Sequence, residues 1–361
     1  MSAFYELAER AIRLKDEGRK IIRLDIGQTN RPVAPEALEK AEAVMKKGRS
    51  DYGPAAGLEE LRAAIAEREG CETGNVAVGP GSKHLLFAVL SLLAKRGDAV
   101  LVPSPHWPAY HLMGRHLGLK MDVESTSFGR GWQMDGHGFD GQKALILCNP
   151  NNPTSTVQAP DVIEELAKKA ARAGAAVIID EAYRGLAFKK IESAEGAIRV
   201  RSFSKEFNME GWRLGYAVGP KEVIARMTRF NQFTITCVPD FVQAAGLACL
   251  AHEERILEEN LKAWKRRAAL AGRILKKGGF EFVEPRSGIY IFARHPKVPD
   301  SAKLAGALLD EGIAVAAGHD FGRPEFIRIC PNLDEEELAK ALEKVCEVAN
   351  RHGASAGRNL L

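Results

Sequence analysis

The sequence predicts an α/β protein with a large domain, in which helices cover both faces of a mostly parallel sheet, and a smaller α+β domain. The chain has 361 residues, of which 45% are hydrophobic, enough for a sizeable core. Apolar runs alternate with helix-like stretches as far as about residue 275. After this point the pattern changes to a few short predicted strands and helices. The predicted limits are residues 46–275 for the large domain, and residues 1–45 together with 276–361 for the small one.

The large sheet is predicted from five apolar runs that each end in polar or turn-forming residues: NVAVGP, DAVLVPSP, KALILCNP, AAVIIDEAY and AIRVRSFS. Continuous apolar runs are typical of strands that are buried on both faces, as in parallel sheets. Ligands of such sheets bind beyond the carboxyl ends of the strands. The polar residues that end these runs are therefore candidates for a functional site.

The composition argues against several classes of protein. The 51 Lys and Arg against 47 Asp and Glu leave a net charge of +4, too small to indicate a surface for nucleic acid or membrane. The six cysteines show no CxxC spacing, so neither a zinc site nor a disulfide framework is predicted. The N-terminal segment lacks the apolar stretch of a signal peptide. We therefore expect a cytoplasmic protein without a metal site that acts on small molecules.

The first run ends in VGPGSKHLL, where Gly79 and Gly81 precede an apolar helix. Free N–H groups at such a helix start can bind phosphate. A dinucleotide fingerprint would need a third glycine at position 84, which is His84, and the chain has no GxxxxGK[ST] motif. An ordinary Gly-Pro turn before a capped helix remains an equally good interpretation of this segment alone.

Three more strand ends carry polar or aromatic residues. Asp180 and Glu181 end a buried strand and should point to opposite faces, so one carboxylate should face the site. A magnesium ligand and a turn cap are the alternatives for Asp180. Trp107 lies between prolines after another strand. A rigid turn with amides that point outward is predicted for Asn149, Asn151 and Asn152.

Residues 202–216, SFSKEFNMEGWRLGY, form what we call the lysine segment. Lys205 and Arg213 are its two cations, eight residues apart, and aromatic and small residues surround them. A surface helix would carry more charges of both signs. The pattern therefore indicates a site.

Taken in order, these segments resemble the class I/II pyridoxal-phosphate-dependent aminotransferases of the aspartate aminotransferase fold, fold type I. The resemblance covers nearly the whole chain through LDIG, YGPAAGLEELR, GSK, PHWPAY, NPNNPT, DEAY, SFSKEFNMEGWRLGY and IRI. The spacing of Lys205 and Arg213 is highly specific, whereas the other motifs depend on their order. Two positions depart from the family pattern, with Ser155 in place of a glycine and Ala317 in place of a proline.

The resemblance implies pyridoxal 5′-phosphate as the cofactor and Lys205, Asp180 and Tyr183 as catalytic residues. Lys205 would form the Schiff base with the cofactor and move a proton at the substrate Cα. Asp180 would pair with the pyridine nitrogen, Tyr183 and Asn152 would donate to the phenolate oxygen, and Trp107 would stack on the ring. The implied phosphate ligands are Gly81, Ser82, Lys83, Ser202, Arg213 and, from the neighbouring subunit of a homodimer, Tyr52.

The implied reaction moves an amino group between an amino acid and a 2-oxo acid, most simply of the aspartate or glutamate type. Arg328 would clamp the substrate α-carboxylate and the Gly27 backbone would close over it. A second substrate carboxylate needs a second cation, for which Arg31 is the hypothesis and Arg323 and His319 are the rivals. A solvated loop charge is the alternative interpretation of Arg31.

Other functions stay open from the sequence. The chain length and the segment TNRPVAPEA resemble histidinol-phosphate aminotransferases, whereas GSKHLL and Trp107 resemble aspartate-type members. The same cofactor pocket also serves lyases, decarboxylases and racemases. A regulatory binding protein on an inactive aminotransferase domain would need an added DNA-binding segment, and none is expected before residue 20 or after residue 345.

Overall fold

The structure is a computed structural model that describes residues 3–48, 51–135, 139–192 and 196–356. Its strands in the described ranges are β1 Ile22–Arg23, β2 Val76–Gly79, β3 Ala99–Ser104, β4 Lys120–Ser125, β5 Ala144–Cys148, β6 Ala176–Asp180, β7 Ile198–Ser202, β8 Gly215–Val218, β9 Glu281–Phe282, β10 Ile291–Arg294, β11 Ile313–Ala314, β12 Ala316–Ala317 and β13 Phe326–Ile329.

The α-helices in the same ranges alternate with the strands over most of the chain. They are α1 Ala3–Asp16, α2 Pro35–Met45, α3 Glu59–Glu69, α4 Ser82–Leu93, α5 Ala109–Leu117, α6 Pro160–Ala173, α7 Phe203–Glu206, α8 Lys221–Thr234, α9 Asp240–Ala251, α10 Glu253–Lys277, α11 Ser301–Asp310 and α12 Glu335–Ala356. No helix within the described ranges is both long enough and apolar enough to cross a membrane.

The large sheet has the spatial order β2-β8-β7-β6-β5-β3-β4 and is parallel except for β8. The predicted α/β class with a mostly parallel sheet is therefore confirmed. The apolar runs predicted five of its strands, whereas β4 and β8 were not predicted. In β4, partly exposed and exposed residues replace the continuous apolar run.

Strand β8 returns antiparallel to β7, with Ser202 opposite Gly215. Antiparallel neighbours can be joined by a short connection, whereas parallel strands need a long crossover. The lysine segment is this connection. It leaves the sheet at the carboxyl end of β7 and returns at the same edge, so Lys205 and Arg213 stay at one end of the sheet.

The C-terminal part of the chain, together with β1, forms two smaller sheets with their own core, and the four-stranded one is called the second sheet below. Strands β12-β13-β10-β9 are antiparallel, and β1 pairs in parallel with β11. Leu24, next to β1, packs in one hydrophobic cluster with residues of α10, α11 and α12. Helix α2 differs, because its Ala37 and Ala41 pack with residues of α9 beside the large sheet.

Candidate active site

The residues singled out in the sequence converge at the carboxyl edge of the large sheet. Trp107 follows β3, Asn152 follows β5, Asp180 ends β6, and Ser202 ends β7 just before Lys205. Four strands that are consecutive in the sheet, β7, β6, β5 and β3, thus contribute to one site. Parallel strands bring such ends together, as expected for ligand sites in α/β proteins.

Asp180 is a buried carboxylate at the end of β6, only 3% exposed. Its Oδ2 accepts a hydrogen bond from the Tyr110 hydroxyl at 2.7 Å, and its Oδ1 accepts one from the Ala182 N–H at 3.2 Å. Burial raises the pKa of Asp180 to about 6. Among the described residues no cation makes an ion pair with it. A ligand that brings a positive charge to this carboxylate would remove the cost of its burial.

The Lys205 amine is largely buried at the end of the short helix α7. Its Nζ donates to the Gly27 carbonyl and lies 3.7 Å from Glu210 Oε1. Burial lowers the pKa of Lys205, although the Glu210 carboxylate opposes this effect. The neutral amine, which is the nucleophilic form, is therefore easier to reach than in an exposed lysine. The Ser202 hydroxyl oxygen caps α7 by accepting from the Ser204 N–H at 3.1 Å, so its proton remains able to donate elsewhere.

The turn before α4 has the features of a phosphate site. Gly81 is the N-cap of the helix with φ +84°, and a Cβ atom there would lie 2.5 Å from a guanidinium nitrogen of Arg213. Arg213 donates to the carbonyls of Glu210 (2.8 Å) and Pro80 (3.4 Å), and in the described ranges it has no carboxylate partner. Two positive features, a helix N-terminus and a guanidinium without an acid, meet here and fit a bound anion.

Lys83 lies beside this turn and approaches Trp107. Its Nζ is 5.0 Å from the Trp107 ring centroid. Partial burial, and then the nearby charge of Arg213, lower the pKa of Lys83. The positive charges of Lys83 and Arg213 repel each other, and both add to the positive potential of the turn.

Arg328 of β13 links the second sheet to the large one. Its Nη1 donates to Asn152 Oδ1 at 2.9 Å and its Nη2 to the Asp25 carbonyl at 2.6 Å. Its guanidinium carbon is 4.3 Å from the Tyr290 ring centroid. The Asn152 amide in turn donates to the Tyr183 hydroxyl at 3.3 Å. Arg328, Asn152 and Tyr183, which the sequence predicted separately, are therefore one connected group.

The prediction that the asparagine amides point outward is wrong. Asn149, Asn151 and Asn152 are at most 7% exposed. Asn149 accepts from the Gln158 N–H at 3.1 Å, and Asn151 donates to the Pro105 carbonyl at 3.1 Å. The loop is buried between the two sheets, and its amides replace water as partners of the neighbouring main chain.

A buried ionic network beneath α7 was not predicted. Glu206 Oε1 accepts from Arg201 at 2.8 Å and from the Gly185 N–H at 2.7 Å, while its Oε2 accepts from Arg68 at 2.9 Å. Burial alone would raise the pKa of Glu206, but Arg201 and Arg68 outweigh it and keep that pKa below its usual value. Gly185 has no room for a side chain, since a Cβ would lie 2.8 Å from Glu206 Cδ. The network fixes the lysine segment to the loop after β6.

Removing the Glu206 charge should destabilise the protein strongly. We expect Glu206→Gln to lower the free energy of unfolding by about 3 kcal/mol, because Arg68 and Arg201 would each lose one of two carboxylate partners and keep only Glu253 and Glu69, respectively. Urea unfolding followed by circular dichroism measures the change. The control is Glu164→Gln on α6, which breaks an exposed pair with Lys168 and should have little effect. Equal unfolding midpoints for wild type and Glu206→Gln would contradict the role given to the network.

The remaining predicted residues differ in their surroundings. Arg31 is half-buried, and its Nε finds no hydrogen-bond partner among the described residues. Arg323 donates to the main-chain carbonyls of Ser104 and Thr126. His319 is exposed. Tyr52 is 90% exposed, the largest exposure among the large hydrophobic side chains of the described residues.

Sequence reasoning did not single out Tyr110, Tyr290 or Arg267. Arg267, on α10, donates to the carbonyl of Thr29 at 3.5 Å. Burial, and then the positive charge of Arg31, lower the pKa of Arg267. The contacts of Tyr110 with Asp180 and of Tyr290 with Tyr183 join residues that are 70 or more apart in the chain, so no local motif marks them.

Comparisons with known proteins agree with this geometry. Residues 19–345 match the family model described as aminotransferase class I and II. The chain is 37% identical to an aspartate aminotransferase of Thermococcus kodakarensis, over 95% of this chain and 92% of the relative. It is 31% identical to an aspartate/prephenate aminotransferase of Thermus thermophilus, over 97% and 96%.

Solved structures give the same result. Aspartate aminotransferase from Thermus thermophilus with maleate superposes with a TM-score of 0.91 at 31% identity, covering 96% of this chain and 97% of that one. The chain belongs to the class I and II aminotransferases, enzymes that move an amino group between an amino acid and a 2-oxo acid.

Proposed function

We propose that this aminotransferase uses pyridoxal 5′-phosphate and takes its amino group from a dicarboxylic amino acid, aspartate or glutamate. The observation that carries the cofactor proposal is the pair of unmatched charges at the two ends of the site. Among the residues that the structure describes, no cation pairs with the buried carboxylate of Asp180, and no acid pairs with the cationic turn formed by Gly81 and Arg213. A protonated pyridine with a phosphate arm supplies both missing charges.

The residues present fit that cofactor. Gly81, Ser82, Lys83, Ser202 and Arg213 would hold the phosphate at the start of α4. Asp180 would keep the ring nitrogen protonated, with Tyr110 orienting the carboxylate. Trp107 would cover one ring face. When bound, the cofactor supplies an aldehyde that links to amines and a ring that accepts electrons from the substrate carbon.

Lys205 would carry the covalent link and the proton transfer. Its amine would hold the cofactor covalently, and the same Nζ, when free, would take a proton from the substrate Cα. The Gly27 carbonyl and Glu210 hold this amine in place in the free chain. Tyr183 and Asn152 would donate to the phenolate oxygen of the cofactor.

The substrate α-carboxylate would bind to Arg328, whose planar guanidinium suits a two-point contact. The main chain of Gly27 lies beside Lys205, since its carbonyl accepts from the Lys205 amine, and it would close over the carboxylate. The residues that would bind the carboxylate thus come from the second sheet and the N-terminal segment, while Lys205 comes from the large sheet. Binding of substrate can therefore draw these parts together and exclude water from the reacting atoms.

A titration with single amino acids tests the proposed function. Purified protein with pyridoxal phosphate should change its absorbance to that of the pyridoxamine form on addition of aspartate or glutamate, and a 2-oxo acid should restore it. The relatives described as aspartate or aspartate/prephenate aminotransferases support this choice over histidinol phosphate. Conversion by histidinol phosphate alone, or loss of CO₂ or of a β-substituent without conversion, would favour the alternatives.

We further propose that Arg31 binds the distal carboxylate of the substrate. Its segment crosses the site, because Lys205 donates to Gly27 and Asn208 donates to the Pro32 carbonyl at 3.2 Å. Arg31 and Arg267 are neighbouring cations without a carboxylate partner in the described ranges, and a substrate carboxylate would relieve their repulsion. The Thermus thermophilus enzyme was solved with maleate, itself a dicarboxylate.

Arg31→Met should therefore act selectively. We expect kcat/KM for aspartate and glutamate to fall roughly 50-fold, the loss of one charge-assisted contact, while the value for alanine changes little. Arg323→Met is the matched control, because Arg323 donates to main-chain carbonyls and should affect all three amino acids alike. Equal losses for all three substrates in Arg31→Met would remove this assignment.

The proposed homodimer rests on Tyr52, which is exposed in the single chain and would reach the phosphate of the neighbouring subunit. Sedimentation should give twice the chain mass of 39.4 kDa. Mixing Lys205→Ala with Tyr52→Phe should also recover activity, since one site of each mixed dimer then has both native residues. A fully active monomer would contradict the dimer.

We also propose the two-domain division at residues 46–275 and at 1–45 with 276–361; within these ranges, residues 1–2, 49–50, 136–138, 193–195 and 357–361 lie outside the described residues. The separate core around α11 and α12 supports it. Helix α2 packs against α9, so the N-terminal boundary lies at a packed joint and not in a linker. A smaller radius of gyration in solution scattering with a bound dicarboxylate would support closure of the two domains.

A further inference from the structure

Tyr290 is a buried residue of the site that the proposed function does not use. It lies between the second sheet and the large one, just before β10, and is 4% exposed. The preceding residue, Ile289, has φ +92°, an unfavourable value for a β-branched residue. The Tyr290 N–H donates to the Ser155 hydroxyl at 3.2 Å. Backbone strain of this kind is concentrated at functional sites, where the surrounding structure holds it.

The Tyr290 side chain reaches the centre of the site. Its hydroxyl is 3.2 Å from the Tyr183 hydroxyl, and its ring lies under the Arg328 guanidinium. A Cβ atom on Gly27 would collide with the Tyr290 hydroxyl. The Tyr290 hydroxyl therefore occupies the space that a side chain at position 27 would need. It lies between Tyr183, which is proposed to contact the cofactor, and the Gly27 main chain, which accepts from Lys205.

The hydrogen bonds around Tyr183 can be assigned by counting protons. Arg328 can only donate, so the Asn152 atom that contacts it at 2.9 Å is the amide oxygen. The Asn152 NH₂ group then faces Tyr183 and donates to its oxygen. Burial raises the pKa of Tyr183 and of Tyr290, so each keeps its one proton. If Tyr183 gives its proton to Tyr290, it has none left for a ligand.

We infer that Tyr290 donates its hydroxyl proton to Tyr183, so that the Tyr183 proton points at the phenolate oxygen of the cofactor. Tyr290 is then a positioning residue that acts through Tyr183. Two donors to the Tyr183 oxygen polarise its O–H bond and strengthen the bond it makes in turn. This inference rests on the proposed use of pyridoxal phosphate.

The absorbance of the bound cofactor tests the inference independently of turnover. The absorbance changes with pH as the nitrogen that links the cofactor to Lys205 loses its proton. A donor to the phenolate favours the deprotonated form, because the oxygen then bears its full charge. Tyr290→Phe should therefore raise the pH midpoint of the absorbance change, by about half a unit. A midpoint that stays or falls would overturn the inference, and a fall would mean that Tyr183 donates to Tyr290.

A double-mutant cycle separates positioning from a general structural effect. In the Tyr183→Phe background, Tyr290→Phe should give no further shift of the midpoint, since Tyr290 acts through the missing hydroxyl. An additional shift of the same size would overturn the inference. Tyr216→Phe is the control for loss of a buried hydroxyl. It loses contacts with Arg68 and Glu69, and should lower the urea midpoint without moving the absorbance midpoint.

The proposed function can fail separately from this inference. Wild-type protein that binds no pyridoxal phosphate would overturn the proposed function, and the inference would be overturned with it. Wild-type protein that binds the cofactor and titrates, combined with an unshifted Tyr290→Phe variant, would overturn the inference alone. If the inference is correct, kcat of Tyr290→Phe should fall roughly three-fold, while KM for the amino acid changes little.

Discussion

Replacing Lys205 with alanine is expected to abolish covalent attachment of the cofactor and to lower turnover by about 10⁴-fold or more. The amine lies on α7 against the Gly27 carbonyl and Glu210, and burial lowers its pKa. In this position one amine can both attach the cofactor and move the substrate proton. Non-covalent binding should persist, because the cationic turn at Gly81 and Arg213 is unchanged.

Borohydride reduction followed by mass spectrometry measures the attachment directly. Wild-type protein should gain one phosphopyridoxyl group per chain, on the peptide that contains Lys205. Lys83→Ala is the matched control, since Lys83 is the other lysine near Trp107 and Arg213. This variant should bind the cofactor more weakly but still carry the reduced adduct. An adduct retained in Lys205→Ala and lost in Lys83→Ala would reverse the assignment.

The strand ends could be predicted from the sequence because buried parallel strands leave a strong local pattern. Continuous apolar runs that end in Asp180 or before Lys205 predict both the strands and the edge at which they meet. Resemblance to a family then assigned a role to each polar residue at that edge. The structure brings Asn152, Tyr183 and Arg328 into direct contact, although the three come from distant parts of the chain.

The partners of these residues could not be predicted, since they depend on tertiary packing. In the sequence, nothing distinguishes Tyr110 from other helix residues. Its role depends on the fold, in which β6 places Asp180 beside it. Arg201 of β7 is buried, and the carboxylates of Glu69 and Glu206, which come from other parts of the fold, make this burial possible. Tyr290 lies in a strand-like run, and only the backbone strain at the preceding Ile289 and the contact with Tyr183 mark it as part of the site.

Replacing Asp180 is expected to slow proton transfer while the cofactor stays bound. Asp180→Ala should retain the cofactor through Lys205 and the phosphate turn, but slow the single-turnover reaction with aspartate by about 10³-fold. The reason is electrostatic, because a pyridine without a paired carboxylate loses its proton and becomes a poor electron acceptor. Rapid-mixing absorbance with excess aspartate measures this step, and equilibrium dialysis measures the cofactor affinity.

Asp180→Asn distinguishes loss of charge from loss of structure. Alanine leaves the buried Tyr110 hydroxyl without its acceptor, which is a structural cost, whereas asparagine keeps an oxygen that can accept from Tyr110. If the negative charge of Asp180 is what the reaction needs, both variants should be slow to a similar degree. The carboxylate has a structural role if only Asp180→Ala is slow. It also has a structural role if both variants lose the cofactor but react at the wild-type rate when the cofactor is supplied in excess. Asp180 is buried with no cationic partner in the described part of the chain, and this favours the first result. A charge held in that position without a partner is costly to the folded chain, and a cationic ring that binds there would supply the counter-ion.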